Sequence, residues 1–173
     1  MPCDEDSTRE RGNGDSVQMS IEVRLREMGL RLPSVFQYPS ANRTGCVQVG
    51  SLLYTSGHPP PVDFGVAMDG KVEDDVPEEE AYRCAQATAL NILASVQQQL
   101  GSLDRIHQVV KVYGMVNSSP GFRRQFAVVD GASDLYYELF GPERGQHARS
   151  AVGMFELPRG FPIEIEAIFE IDN

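Results

Sequence analysis

The segment Ile163 to Ile171 constrains the fold more than any other. Ile163, Ile165, Ala167, Phe169 and Ile171 fall on one side of an extended chain, and Glu164, Glu166, Ile168 and Glu170 on the other. Alternation with a period of two is the signature of a pleated strand with one buried face. Leu157-Pro158-Arg159-Gly160, just before it, carries turn chemistry: proline fixes φ and glycine permits positive φ. Ser150 to Phe155 is a further short apolar run. The stretch is therefore expected to fold as strand, turn, strand. Such a hairpin brings Arg149 close to Glu164 only with the help of bends or a neighbouring chain.

The segments upstream supply the other layers. Met19 to Leu30 places Ile21, Leu25 and Met28 at helical spacing, with Ser20 as N-cap and Gly29 as stop signal. Its apolar stripe is expected to be glued to the domain. Arg43 to Val49 and Leu52 to Ser56 form strands joined at Gly50-Ser51. Pro59, Pro60 and Pro61 then interrupt regular structure. Pro77 to Leu100 has acidic residues at its positive dipole end and a stripe of Tyr82, Ala85, Ala89, Leu93, Val96 and Leu100, which predicts one long helix with one buried side. Arg105 to Val116 is a β-branched strand. Phe122 to Phe140 predicts a second long helix, weakened by Gly131 and ended by Gly141-Pro142. The order β-β-α-β-α-β-β without strict alternation favours an α+β fold, one mixed sheet with two main helices on one face. Residues 1–18 are polar and charged and read as a disordered tail. Residues 19–173 read as a single domain with a short lead-in helix.

Charge and cysteine usage narrow the function. Formal net charge is -10 and the pI about 4.7, which argues against nucleic acid and anionic membranes as partners. Cys3, Cys46 and Cys84 are odd in number and match no metal spacing, so no metal or other cofactor is expected. With no apolar signal core and no run long enough to span a bilayer, a cytoplasmic location is expected. His58, His107 and His147 share no ligand spacing, and a solvated or hydrogen-bonded histidine is the default for each. Ser133-Asp134 is by default a polar helix face, and Arg149 with Glu164 a surface ion pair. The functional alternative is a small-carboxylate site, in which Arg149 holds an anion bidentately and Glu164 handles a proton or a water.

Ala148-Arg149-Ser150-Ala151-Val152, then Leu157-Pro158-x-Gly160, then Ile163-Glu164-Ile165-Glu166-Ala167 resembles the C-terminal signature of the Rid (YjgF/YER057c/UK114) family, often labelled "endoribonuclease L-PSP". Val49 to His58, with its Ser56-Gly57 pair, is similar to that family's N-terminal strand pair. The resemblance spans roughly residues 41–171. It implies a chorismate-mutase-like fold assembled as a homotrimer, with clefts between subunits. It further implies hydrolysis of imines derived from enamines such as 2-aminoacrylate, giving a 2-oxo acid and ammonia. By the same resemblance Arg149 binds the substrate carboxylate, and Glu164 and the backbone carbonyl of Ala151 hold the attacking water. The remaining substrate-binding positions fall on Gly57, Arg43 and Ser133. Two of these depart from the family: Arg43 stands where a tyrosine packs over the substrate, and Ser133 where the second helix carries asparagine. Two other readings accompany the deaminase: a trimer that binds a small carboxylate without turnover, and the endoribonuclease of the family label.

Overall fold

The computed structural model describes residues 19–35, 37 and 41–172. The expected tail of residues 1–18 lies outside them. The elements run α1 (Ile21–Glu27), β1 (Cys46–Val49), β2 (Leu52–Thr55), α2 (Glu78–Leu100), β3 (Ile106–Asn117), α3 (Gln125–Gly145), β4 (Ala148–Met154) and β5 (Ile163–Ile171). They form one five-stranded sheet in the order β1-β2-β5-β3-β4. β3 and β4 are parallel, and every other pairing is antiparallel. This is the mixed α+β architecture the residue patterns predict.

The expected hairpin between the last two strands does not form. β3 lies between β4 and β5 and pairs with both. The physical reason is the crossover β3-α3-β4, which lays β4 parallel to β3 on its outer side. Residues 155–162 then pass over the end of β3 to reach β5. They are tied down there by Ser118 N donating to Met154 O at 3.4 Å and Asn117 N donating to Pro162 O at 3.0 Å. Arg159 and Gly160 form a tight turn in this connection, both at positive φ.

The alternation in β5 is real: Ile163, Ile165, Ala167, Phe169 and Ile171 are buried, while the residues between them are not. The buried face packs under α2, and β3 and β4 pack under α3. The helix α2 departs from the single stripe expected of it. Apart from the half-buried Gln86, its residues from Cys84 to Val96 are all buried. The helix lies under the proline run on one side and against the sheet and α3 on the others, so no broad face is left for water. Two of its N-terminal glutamates are also engaged rather than merely solvated. Glu78 takes a bidentate pair from Arg124 at 2.6 and 2.8 Å, and Glu80 accepts from Ala67 N at 2.7 Å.

The helix α3 turns sharply at Gly141, where φ is 79° and ψ 174°, and adds a last turn to Gly145. The Gly141-Pro142 pair expected to end the helix therefore bends it, and a further helical turn follows. The lead-in helix α1 is capped by Ser20, whose Oγ accepts from Val23 N at 3.3 Å. Ile21 and Leu25 are buried against the domain. Two reciprocal bonds fix it at the α2–β3 corner: Ile21 N to Asp104 Oδ1 and Leu103 N to Glu22 Oε1, each 2.8 Å. Among the described residues, no helix is long and apolar enough to cross a membrane.

Candidate functional site

Arg149 stands on β4, the last strand of the sheet, opposite Val112. Val112 belongs to the buried face, and residues opposite each other in register point to the same side. Arg149 therefore projects towards α3. Its Nη1 donates to Asp130 Oδ1 at 2.6 Å and to Ser133 Oγ at 3.0 Å. Asp130 and Ser133 are three residues apart on α3, the spacing that puts two side chains on one face. The Ser133 hydroxyl also lies 3.0 Å from His147 Nε2, and His147 Nδ1 lies 2.7 Å from Gly145 O. Because a carbonyl only accepts, Nδ1 carries the imidazole proton and Nε2 accepts from Ser133. Burial holds His147 below the usual histidine range, and the Arg149 charge adds to this against the pull of the Gly145 hydrogen bond. The chain of bonds thus runs one way, from Arg149 through Ser133 to a neutral His147.

This arrangement uses one nitrogen of the guanidinium. Among the described residues, no acceptor lies on the edge formed by Nε and Nη2. That edge presents two parallel donors, the geometry that matches a carboxylate. The side chain is 24% exposed, so it is held by the protein yet open to a ligand.

Glu164 is built into the other face. It lies opposite Met115, between the buried Ile163 and Ile165, and so points away from the helices. A Cβ placed on Gly57 would come within 2.0 Å of Glu164 Oε1. Only glycine lets the carboxyl rest on the backbone there. Burial, with a smaller contribution from Glu166, raises the Glu164 pKa above the usual carboxylate range. A carboxyl poised in this way exchanges a proton more readily at neutral pH than an exposed one. Next to it, the backbones of His58 and Ile165 exchange hydrogen bonds of 2.8 and 3.0 Å. The His58 ring itself is fully buried, between Ser56 O at 2.7 Å and Ser95 Oγ at 2.8 Å. It is a satisfied core histidine.

The sequence-derived residues thus gather in two groups. Arg149 and Ser133 meet on the helix side of the β4 edge, and Gly57 and Glu164 meet on the open face. Ala151 lies on β4 opposite Gly114 and packs partly against the core. Arg43 precedes β1 and lines a cavity of about 230 Å³ with Gln98 and Gln99, apart from both groups. Within one chain β3 separates Arg149 from Glu164. Asp130 and His147 complete the arginine group. Nothing in the sequence singles out Asp130: its i, i+3 relation to Ser133 is that of any polar helix face.

The family model described as "YjgF/chorismate_mutase-like, putative endoribonuclease" matches residues 22–158. The chain belongs to the YjgF/L-PSP family. This member is 39% identical over 153 residues to Protein TCP17 of Trypanosoma cruzi, covering 88% of this chain and 95% of that one. The crystal structure of Atu1372, a protein of unknown function from Agrobacterium tumefaciens, is 44% identical, with a TM-score of 0.80 over 88% of this chain and 92% of that one. A putative endoribonuclease from Shewanella oneidensis is 31% identical, with a TM-score of 0.83 over 88% of this chain and all of the other. The chorismate-mutase-like fold expected from the motifs is therefore the fold of this YjgF-family chain.

Cys46, Cys84 and His58 of the YjgF-family chain are structural. Burial pushes the Cys46 thiol up to about 11 and the Cys84 thiol up to about 12, so neither is a nucleophile at neutral pH. Burial also lowers the pKa of His58. In the unfolded chain its pKa is about 6.5, so below that pH the unfolded state takes up a proton that the folded state refuses. Stability is full above that value and is lost as pH falls through the window towards the folded pKa. Thermal melts between pH 7 and pH 5 should show a falling Tm, with a shallower slope in His58→Gln. Equal slopes would remove His58 as the cause.

Proposed function

We propose that the protein hydrolyses small 2-imino acids to 2-oxo acids and ammonia, in clefts between the subunits of a homotrimer. The observation that carries this reading is the free Nε–Nη2 edge of Arg149, held in place through Nη1 by Asp130 and Ser133. Such an edge suits the carboxylate of an imino acid. The imine carbon is already electrophilic, so the reaction needs an oriented water rather than a strong nucleophile. Water oxygen bonds to that carbon, the nitrogen gains protons, and the C–N bond breaks to release ammonia. Glu164, with its raised pKa, is the group that orients the water and moves the proton, and the Ala151 carbonyl helps hold the water.

The two groups of residues lie on opposite faces of one chain, so this reaction requires a second chain. The arginine group of one subunit would face the glutamate group of its neighbour. The β4 edge has the features of a surface that is covered in an assembly. Among the described residues its strand is hydrogen-bonded on one side only, which leaves backbone groups open to pairing. Phe126 and Tyr137, eleven residues apart on the same side of α3 as Asp130, are 53% and 51% exposed, and Phe155 after β4 is 89% exposed. Light scattering should return three times the 19.1 kDa chain mass at micromolar concentration. A monomer would refute the intersubunit site.

Two substitutions bear on turnover. Arg43 and Ser133 replace the tyrosine and asparagine of the resembled deaminases, which favours a second reading: a trimer that binds a 2-oxo acid without turnover. Ammonia release from 2-aminoacrylate generated in situ separates the two. Release above the uncatalysed rate supports the deaminase, and binding of pyruvate without release supports the binder. RNA cleavage is the weakest reading, because the charge of -10 opposes phosphate binding.

A further inference from the structure

Arg149 does not stand alone at the β4 edge. Asp130, which accepts from its Nη1 at 2.6 Å, brings a negative charge to the same place. The Asp130 side chain is 42% exposed, more than the arginine it holds. The contact engages Oδ1. Among the described residues, Asp130 Oδ2 has no donor. The unused edge of the guanidinium and the unused oxygen of the carboxylate thus belong to two side chains in contact, both open to solvent.

The groups around this pair leave its charges balanced. Ser133 is neutral, and its hydroxyl is used twice, accepting from Arg149 and donating to His147. Burial keeps His147 neutral. Asp134, the residue after Ser133, is turned to α2, where Tyr82 Oη donates to it at 2.9 Å. A bound monoanion is therefore attracted by the guanidinium and repelled by the carboxylate beside it. A ligand with a positive nitrogen on the carbon next to its carboxylate meets an opposite charge at both groups. For partly exposed charges, screening limits each such effect to about threefold to tenfold in affinity.

We propose that Asp130 determines the specificity of this site, selecting ligands with a cationic nitrogen α to the carboxylate: the protonated imino acid over the 2-oxo acid. The ligand carboxylate takes the Nε–Nη2 edge of Arg149, and the nitrogen donates to Asp130 Oδ2. The inference rests on the carboxylate site proposed above and supplies the partner for the other polar group of the substrate. It also bears on turnover. Substrate and product of the hydrolysis share the carboxylate and differ at C2, where nitrogen gives way to a carbonyl oxygen. A carboxylate at that point holds the protonated nitrogen and disfavours the oxygen, so it retains the substrate and releases the product.

The test is calorimetric titration of the full-length protein with L-alanine and with pyruvate. The two share a carbon skeleton and a carboxylate and differ at C2, so L-alanine represents the protonated nitrogen. The parent should bind L-alanine about tenfold more tightly than pyruvate. Asp130→Asn keeps an oxygen for Arg149 Nη1 and removes the charge. It should weaken L-alanine and tighten pyruvate, each by about threefold to tenfold. Asp130→Glu keeps the charge and should keep the parent's order. Opposite shifts are the deciding readout, because an aspartate that merely braces Arg149 would lower both affinities together when lost. The inference is overturned by shifts of the same sign in Asp130→Asn, or by a parent that binds pyruvate as tightly as L-alanine. Either result leaves the carboxylate clamp on Arg149 standing. A parent that binds neither ligand, or an Arg149→Ala variant that binds both like the parent, overturns the clamp and this inference with it.

Discussion

Arg149→Ala is expected to abolish binding of 2-oxo acids. The substitution removes the Nε–Nη2 edge and with it two charge-assisted hydrogen bonds to the ligand carboxylate. For a desolvated pair this costs about 2–5 kcal/mol, which is roughly thirtyfold to several thousandfold in Kd. Arg149→Lys should recover little of the loss. It restores a charge near Asp130, but a single ammonium cannot present two parallel donors. Glu164→Gln should behave in the opposite way. It keeps the shape that rests on Gly57 and much of the hydrogen bonding, but it cannot take up or release the proton. Pyruvate should still bind, while ammonia release from 2-aminoacrylate falls by about 10²–10⁴. The measurements are calorimetric titration with pyruvate and a coupled ammonia assay. If Arg149→Ala binds pyruvate as tightly as the parent, the carboxylate clamp is wrong. If Glu164→Gln turns over normally, the water is oriented by another group.

The different fates of Arg149 and Glu164 show what a linear pattern carries and what it does not. Both strands were legible because each has a local signal: alternation in β5 and a short apolar run in β4. The pairing of those strands was not legible. A turn signal at Leu157–Gly160 looks the same whether the flanking strands pair or a third strand comes between them. The outcome is decided by the crossover β3-α3-β4, which lays β4 on the outer edge of β3 and leaves the other edge to β5. The register then puts Arg149 opposite Val112 and Glu164 opposite Met115. A separation of three residues along β3 is odd, so the two side chains leave opposite faces.

The same limit applies to single polar residues within apolar helices. Asp130 and Ser133 belong to a segment with an ordinary polar helix face, and nothing local marks them as the partners of an arginine sixteen or more residues later. Asn91 carried a clearer signal. An asparagine between Leu90 and Ile92 in a helix buried on nearly every side has no water to turn to, so a partner had to be found for it. The helical stripe took in Ala89 and Leu93 and passed over the three residues between, Asn91 among them. The all-round burial of α2 that cuts Asn91 off from water comes from the proline run folding over it, and that contact is long-range.

Gly131→Ala is expected to be the most damaging small substitution in the core. Helix propensity predicts the reverse, since alanine in a helix interior is favoured over glycine by about 1 kcal/mol. The structure supplies a larger opposing effect. A Cβ on Gly131 would lie 2.1 Å from the carbonyl oxygen of Tyr82 and 3.2 Å from Ala85 Cβ. The first of these is backbone of α2 and cannot rotate away. The two helices cross at van der Waals contact with no side chain between them, so an added methyl must push α3 outward. Overpacking of this kind costs about 1–3 kcal/mol and sometimes more. Because the clash is with main chain, the cost should sit at or above the top of that range. The net loss is then about 2 kcal/mol or more, a drop of about 4–8 °C in Tm for a chain of this size. The displacement also reaches the site, since Asp130 is the preceding residue and Ser133 follows two positions later. Pyruvate affinity should fall along with Tm, although the substitution touches no ligand. Gly50→Ala is the control. Its φ is 61° with open space around it, so it should cost about 1–3 kcal/mol of backbone strain but leave pyruvate binding intact. Thermal melts and pyruvate titration of the two variants decide the matter. A Tm for Gly131→Ala at or above the parent would mean that propensity outweighs the contact and that α2 and α3 are not locked together at this crossing.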